Sequence, residues 1–498
     1  MAIANRLSSY LTFVIFVITL GAFQYGFHNG ELNTPQSVIS KCQTKDGVLI
    51  DPEDGVAGLP GCLRMPDAQY SLVVAMLTAG GLVGALLASH ISDRYGRRLA
   101  LVASSLLMGS GSIAMTLSMS PTMLMFGRFV AGLGSGVVTV VVPAYIAECV
   151  PKSSRGFFGT LTQLSVVIGI LAAQVIGLAW SRVAAWRSIL AIGIVLAAVH
   201  LSLLPFCVES PRYLASVGGR AKEALLRLRG PPLDAVEEEI NVWQQEQCGQ
   251  DDDDDNNSDE NAPTMVKPKV TILQFLRAPQ FRRPLCIVLL LQFAQQFSGI
   301  NAVIFYSTSI MAPVFPQSSD LITVYISIVN LIMTIVSAYL MDKTGRRTLF
   351  LASISMMAVM SLLLGWSIEA VDREYISSVA IIGFVASFAI GLGPIPFLMI
   401  PELVDTATVA SAGSVGLASN MISNFIVSAG FLGLRDIIGQ DRVFYMFGAI
   451  LVCLFCIAWI ILPETKGRSA EEVIRSKWAV SSAPTTATGY LPIAHGSP

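Results

Sequence analysis

The chain has 498 residues, of which 53% are hydrophobic and only 13% are charged. The charged share is about half that of an ordinary soluble domain, which excludes a surface solvated mainly by water. A formal net charge of −2 gives no support for nucleic-acid binding. We therefore expect an integral membrane protein.

Twelve apolar segments are long enough to cross a bilayer, for which a helix needs about 20 residues. They predict an all-α membrane protein with twelve transmembrane helices. Because the number is even, both termini should lie on the same side of the membrane. In chain order, the predicted spans lie near 11–29, 69–89, 99–118, 121–145, 157–178, 187–206, 285–308, 320–341, 348–367, 377–401, 408–432 and 441–462.

Basic residues cluster in the loops after the second, fourth and eighth spans. Since Lys and Arg accumulate in cytoplasmic loops, we expect these loops and both termini to face the cytosol. By the same reasoning, loop 30–68 lies outside. This loop contains Cys42 and Cys62, which an oxidising compartment would allow to pair, although free thiols remain an alternative. The basic residues are Arg94, Arg97, Arg98, Lys152, Arg155, Lys343, Arg346 and Arg347.

Two motifs occur twice. DRYGRR at 93–98 recurs as DKTGRR at 342–347, and VESPR at 208–212 is echoed by PETKGR at 463–468. This repetition predicts two pseudo-symmetric six-helix bundles, as in transporters that are built from internal repeats.

The repeats divide the chain into bundles at 1–206 and 285–462, joined by a cytosolic linker at 207–284 and followed by a tail at 463–498. Within the linker, 220–247 has the pattern of short amphipathic helices. Five consecutive Asp residues lie in 248–269, a segment too polar to fold and therefore expected to be disordered.

The apolar spans contain many carboxamides and few acids. Because polar groups inside a membrane are costly, they point to a substrate path. An amide offers donors and an acceptor without a charge, which suits a ligand that carries many hydroxyls, such as a sugar. The alternative is that amides only hold helices together. The amides are Gln24, Gln163, Gln174, Gln292, Gln295, Gln296, Asn301, Asn330, Asn420 and Asn424.

Two spans contain helix-breaking sequences. In an ideal helix Asn301 would lie about 180° from Gln292, but unwinding at Ser298-Gly299 would turn Asn301 towards the same cavity. The stretch GLGPIPFLMIPE at 391–402 cannot form an ordinary helix and predicts a hinge. Phe397 follows this break, where it could cover the C–H face of a pyranose or simply pack.

Acidic and basic residues occur together near the predicted cytosolic rim of both halves. We interpret them as ion pairs that join the halves when the cavity opens outward and separate when it opens inward. The first half contributes Arg94, Arg97, Arg98, Glu148, Arg155, Glu209 and Arg212, and the second contributes Arg346, Arg347, Glu402 and Glu464.

Over nearly its whole length the chain resembles the sugar porters of the major facilitator superfamily, and it is similar to the facilitative glucose transporters and their fungal relatives. The motifs that carry this resemblance are DRYGRR, GRFVAGLGSG, PAYIAECVPKSSRG, GTLTQLS, VESPRYL, QQFSGINAVIFYST, DKTGRR, GPIPF and PETKGR. The resemblance implies the major facilitator fold, a hexose site at the membrane midplane and rocking of two bundles. It also implies the hexose ligands Gln163, Gln295, Gln296, Asn301, Asn330 and Asn424, with Asn420 beside them.

Three departures from the family pattern leave the preferred sugar open. Phe397 stands where most members have Trp. Ala389 replaces a common acid, and Gln292-Phe293-Ala294 replaces the Gln-Leu-Ser of the glucose-selective branch.

His28 occupies a position where proton-coupled members of the family carry Asp and facilitative members carry Asn. We expect a neutral imidazole, because burial and the nearby Arg128 disfavour its charged form. Glu31 should lie towards the outer mouth in contact with water. The alternative is that Glu31 and His28 together form a proton site.

These observations predict facilitated diffusion of a glucose-like hexose by alternating access. The first alternative is proton-coupled symport of a sugar or polyol through His28 and Glu31, and the second is a non-transporting sugar sensor. An enzyme is not expected, because no nucleophile with a base, metal cluster or phosphate loop is evident.

The expected partners are a monosaccharide and the lipid bilayer, with protons as partners under the symport alternative. No cofactor, metal or nucleic acid is expected, and the protein should be a monomer. The plasma membrane is favoured over the vacuolar membrane.

Overall fold

The structure is a computed structural model that describes residues 8–44, 48–49, 51, 55, 58–151, 155–183, 185–229, 240, 270–316, 318–368 and 373–466. The acidic run at 248–269 and all but the first four residues of the tail at 463–498 lie outside the described residues, as does most of the amphipathic segment 220–247.

Twelve apolar helical segments, each long enough to cross a membrane, occur in the part of the chain that the structure describes, as the sequence predicts. We number them as spans 1 to 12. Their bounds are Ser9–Gly30, Asp67–Tyr95, Arg97–Thr116, Pro121–Cys149, Phe158–Trp180, Trp186–Phe206, Pro279–Met311, Ser319–Met341, Arg346–Ile368, Glu374–Leu398, Thr408–Ile438 and Gln440–Ile461.

Short helices connect the spans. Gln36–Ser40 follows span 1, Pro211–Ser216 and Ala221–Arg229 follow span 6, and Ile272–Arg277 precedes span 7. The helix Ala221–Arg229 buries Ala221, Ala224, Leu225 and Leu228. This spacing places the four side chains on one face, which packs beneath the first bundle.

The spans pack in two equivalent sets, which confirms the predicted pair of six-helix bundles. In the first bundle, span 4 packs against spans 2 and 3, span 1 against span 5, and span 3 against span 6. The second bundle repeats these contacts with spans 7 to 12. The bundles meet where span 2 packs on span 11 and span 5 on span 8.

Spans 2 and 4 approach each other at backbone distance. A Cβ atom placed on Gly132 would lie 2.2 Å from the carbonyl oxygen of Leu77, and one on Gly136 would lie 2.1 Å from that of Gly81. Only glycine allows this contact, as expected for a GxxxG pattern in a membrane helix. The contact fixes the position of Arg128, one turn before Gly132.

The two ends of the bundle differ in chemistry. We call the end that carries Arg97 and Arg346 the basic end, and the opposite end the disulfide end, because a disulfide joins Cys42 to Cys62 there. The loop between Cys42 and Cys62 contacts span 6. Trp186 Nε1 donates to the carbonyl of Gly61 at 2.8 Å, which ties the loop to the first bundle.

Removal of this disulfide should loosen the loop locally. The bond closes a loop between residues 20 positions apart, for which chain entropy gives about 3 kcal/mol. In Cys42→Ser we therefore expect about 100-fold faster hydrogen exchange at the amides of Leu63 and Met65, which donate to Ile39 and Ser40. Amides of span 9 serve as the internal control, and unchanged exchange at Leu63 and Met65 would contradict the prediction.

Candidate functional site

Span 7 is broken at the position that the sequence predicts. One helix ends at Phe297 and the next begins at Ile300. Gly299 between them has a φ of +86°, in the left-handed region that favours glycine. A Cβ atom at Gly299 would also lie 2.6 Å from the ring of Phe447. Conformation and packing therefore both require glycine at the break.

The break brings the amides of spans 7 and 11 together. Asn301 Nδ2 donates to Gln296 Oε1, and Gln296 Nε2 donates to Asn420 Oδ1 at 2.9 Å. Asn420 Nδ2 in turn donates to Gln292 Oε1 at 2.8 Å and to Gln295 Oε1 at 2.6 Å. We call Gln292, Gln295, Gln296, Asn301 and Asn420 the amide cluster.

Span 10 supplies backbone acceptors to this cluster. Its regular helix gives way to a π-helix at Phe388–Leu392 and then to short turns, because its glycines and prolines interrupt the hydrogen-bond ladder. Gln295 Nε2 donates to the carbonyls of Leu392 at 3.0 Å and Gly393 at 2.7 Å. Gln292 Nε2 donates to that of Pro396 at 3.3 Å.

The amide cluster is neutral but rich in hydrogen-bonding groups. Four of its members are buried, whereas Asn301 is only half-buried. Each amide combines an acceptor oxygen with two N–H donors, so hydroxyl groups can exchange with the amide–amide bonds one for one. This arrangement suits an uncharged polyhydroxy ligand better than an ion.

Other predicted ligands lie outside these hydrogen bonds. Gln163 is exposed on span 5 and Asn330 is buried on span 8. Asn424 accepts a hydrogen bond from Ser428 Oγ at 2.8 Å within span 11. Phe397, after the break in span 10, is 41% exposed.

Two further amides hold helices together. Gln174 Oε1 accepts a hydrogen bond from Ser327 Oγ at 2.5 Å, which joins span 5 to span 8. Gln24 Nε2 donates to the carbonyl of Gly193 in span 6 at 3.1 Å. For these two residues the helix-packing interpretation of the amides applies.

A second polar site lies inside the first bundle, and it corrects one expectation. Glu31 does not face a wet outer mouth, because Glu31, His28 and Arg128 are all fully buried. Glu31 Oε1 lies 3.0 Å from both Arg128 Nη1 and His28 Nδ1. The reason is electrostatic: a guanidinium buried by the close contact of spans 2 and 4 needs a counter-charge.

The buried triad of Glu31, His28 and Arg128 is closed by backbone contacts. Arg128 Nη1 also donates to the carbonyl of His28 at 2.6 Å, and Nη2 donates to that of Val74 at 3.3 Å. Glu31 Oε2 and His28 Nε2 have no hydrogen-bond partner among the described residues.

Sequence reasoning missed the polar contacts that join the bundles at the disulfide end. Asn33 Nδ2 donates to the carbonyl of Ile304 at 2.6 Å and to Ser307 Oγ at 2.8 Å. Arg435 in span 11 forms an ion pair with Asp67 at the start of span 2. In the sequence, Asn33 and Asp67 could be recognised only as residues near span ends. Asn and Asp at such positions usually indicate turns and not contacts between bundles.

The basic end contains the same arrangement twice. In the first half, Arg97 Nε lies 3.0 Å from Glu148 Oε2, and the Arg97 backbone N–H donates to Glu209 at 2.8 Å. In the second half, Arg346 Nε lies 3.2 Å from Glu402, and its backbone N–H donates to Glu464 at 3.0 Å.

These pairs each join residues of one half, so an ion-pair latch between the halves stays a prediction. Arg98 donates to the carbonyl of Cys207, and Arg347 to that of Trp459. Arg94 and Arg212 are exposed nearby, and the side chain of Arg155 lies outside the described residues.

Comparison with known proteins gives a consistent result. Residues 14–476 match the family model described as sugar (and other) transporter. Facilitated glucose transporter member 3 of Ovis aries is 35% identical over 484 residues, which cover 95% of this chain and 93% of that protein. Facilitated glucose transporter member 4 of Homo sapiens is 34% identical over 483 residues, covering 94% and 91%.

Solved structures share the fold. The partially occluded inward-open xylose transporter XylE from E. coli matches with a TM-score of 0.73 at 20% identity, covering 92% of this chain and all of that one. The proton:xylose symporter XylE bound to 6-bromo-6-deoxy-D-glucose matches with a TM-score of 0.72 at 21% identity, covering 94% and 98%. The predicted major facilitator fold is thereby confirmed.

Proposed function

The chain belongs to the family of sugar (and other) transporters, and from this premise we propose that it carries a glucose-like hexose across a membrane by facilitated diffusion. The related glucose transporters named above support transport of a sugar rather than catalysis. The observation that carries the proposal is the neutral amide cluster at the breaks of spans 7 and 10.

In this proposal the sugar hydroxyls replace amide–amide hydrogen bonds. Gln295, Gln296, Asn301 and Asn420 bind the sugar directly, starting from Asn301 at the accessible edge. Gln163, Asn330 and Asn424 approach the sugar from the surrounding spans, and Phe397 covers its C–H face. The carbonyls of span 10 hold Gln295 in position, which reduces the cost of ordering that side chain.

The contacts between the bundles indicate how the site changes its access. Asn33 and the Asp67–Arg435 pair close the disulfide end, so we infer that the cavity opens towards the basic end in this conformation. Alternating access then requires these contacts to break. The charged residues around Arg97 and Arg346 would form the latch at the basic end. This end should face the cytosol, because Lys and Arg accumulate in cytoplasmic loops.

Proton-coupled symport is a second candidate, and the contact between Glu31 and His28 favours it. A buried carboxylate that touches an imidazole can hold a proton. Facilitated diffusion remains the first choice because Arg128 already neutralises Glu31, and protonation of Glu31 would leave a buried guanidinium without its counter-charge.

The decisive experiment is uptake of labelled glucose into proteoliposomes with and without a proton gradient. Facilitated diffusion predicts equilibration to equal concentrations under both conditions. Accumulation that depends on the gradient and is lost in His28→Ala would overturn it in favour of symport. Binding of glucose without any flux would instead indicate a sensor. Competition by other hexoses and polyols would identify the preferred substrate.

Location and oligomeric state complete the proposal. We place the protein as a monomer in the plasma membrane, with both termini in the cytosol and the vacuolar membrane as the alternative. A fluorescent fusion distinguishes the two membranes. Multi-angle light scattering measures the molar mass of the purified protein and so tests whether it is a monomer.

A further inference from the structure

A cleft of about 570 Å³ lies at the basic end, away from the amide cluster and the buried triad. Its walls come from the start of span 1, the start of span 3, the end of span 6 and the linker helix Ala221–Arg229. This volume is within the range of about 300–1,000 Å³ that is typical of small-molecule sites. The residues used below are Tyr10, Phe13, Arg98, Phe206, Cys207 and Arg227.

Two guanidinium groups in the cleft have N–H donors that the described residues leave unused. Arg227 stacks over the ring of Tyr10, with its Cζ 4.4 Å from the ring centroid, and makes no hydrogen bond or ion pair with the described residues. Arg98 uses one nitrogen to donate to the carbonyl of Cys207 at 3.2 Å. Both side chains are exposed, so a bound anion can reach them.

The negative charge in the cleft is already engaged. Glu209 accepts hydrogen bonds from the backbone N–H groups of Arg97, Arg98 and Ser210. Burial raises the pKa of the Cys207 thiol to about 11, so this group stays neutral. Among the residues that the structure describes, two cations therefore face the cleft against one carboxylate, and that carboxylate is bound to backbone.

The rest of the cleft is apolar and aromatic. Tyr10 donates its hydroxyl to the carbonyl of Phe206 at 2.9 Å, which holds spans 1 and 6 together, and Phe13 lies beside them. Phe206 itself is 65% exposed at the end of span 6. A ligand that fits all of these walls needs an anionic head and an apolar body.

We propose that this cleft binds the phosphate of an anionic phospholipid from the leaflet at the basic end, with its acyl chains along Phe13 and Phe206. Basic pockets between transmembrane helices on the cytoplasmic side are the typical sites for such head groups. The leaflet follows from the proposed orientation, but binding itself does not depend on sugar transport. Failure of one proposal therefore leaves the other standing.

The test is lipid binding to the purified full-length protein in detergent, measured by native mass spectrometry. Wild type should bind phosphatidylglycerol at least about fivefold more tightly than phosphatidylcholine of the same chain length. Arg227→Gln should lower the affinity for phosphatidylglycerol about fivefold, as expected for one basic residue at an anionic surface, and leave that for phosphatidylcholine unchanged.

Arg220→Gln is the matched control, because Arg220 immediately precedes the same helix, is 84% exposed at its side chain and lies outside the cleft. It should keep the wild-type preference. Arg227→Lys retains the charge and should keep most of the preference for phosphatidylglycerol. This variant also provides a measurement if Arg227→Gln fails to fold.

Two kinds of result would overturn the proposal. One is equal binding of the two lipids by the wild type, or an undiminished preference in Arg227→Gln. The other is full competition by inorganic phosphate at millimolar concentration, or affinity independent of acyl chain length, either of which would indicate a soluble anion instead of a lipid.

Discussion

Glu31→Ala should destabilise the protein by about 3–5 kcal/mol, because it leaves the fully buried Arg128 without its counter-charge. The carboxyl group is also a hydrogen-bond partner of His28 Nδ1, at 3.0 Å. Arg128 and His28 have no exposed surface, so bulk solvent does not reach either side chain. Reversible denaturant unfolding in mixed micelles measures the change in the free energy of unfolding.

A double variant separates charge from packing. Glu31→Ala combined with Arg128→Leu removes the pair together and should recover most of the loss, since a buried ion pair can often be replaced by apolar groups at little cost. Glu223→Ala is the control, because the Arg220–Glu223 pair is largely exposed and should contribute less than about 1 kcal/mol. A similar loss in the Glu31→Ala and Glu223→Ala variants would show that the triad is not electrostatically coupled.

The helices and the helix breaks of this fold could be predicted from the sequence, because local sequence patterns determine them. A long apolar run must become a helix in a bilayer because its backbone has no other partner. Gly299 and the glycines and prolines of span 10 break the helices at places that need no knowledge of tertiary structure. The repetition of DRYGRR as DKTGRR similarly indicated two equivalent halves.

The contacts between distant residues could not be predicted in the same way. Glu31 lies near a span end and was expected to meet water, but the position of Arg128 is set by the approach of spans 2 and 4 at Gly132. Likewise, Asn33 meets Ile304 and Ser307 only because the disulfide end is closed in this conformation. Such contacts depend on which of two global arrangements the bundles adopt, and a sequence encodes both.

The amide cluster lies between these cases. Its residue types were visible in the sequence, and the break at Gly299 explained how Asn301 could join them. The central position of Asn420 was not visible, because its hydrogen bonds reach three residues of another span. Composition therefore identified the chemistry of the site, and tertiary packing determined which amide connects it.

Asn420→Ala should reduce kcat/KM for hexose transport about 100-fold, equivalent to ~3 kcal/mol. The change removes one acceptor and two donated hydrogen bonds, so Gln292, Gln295 and Gln296 each lose a partner inside the bundle. These side chains can then adopt other rotamers, and the sugar must order them when it binds. Initial uptake rates in proteoliposomes, with the protein amount and thermal midpoint measured in parallel, give the effect.

Ser414→Ala in the same span is the control, because Ser414 is partly exposed and, among the described residues, its hydroxyl bonds only the carbonyl of Ala410 one turn earlier. It should transport at the wild-type rate. Because Asn420 and Gln296 share a hydrogen bond, the double variant with Gln296→Ala should lose much less than the sum of the two single losses. Additive losses, or near-normal uptake in a stably folded Asn420→Ala protein, would mean that the cluster holds spans 7 and 11 together without binding the transported sugar.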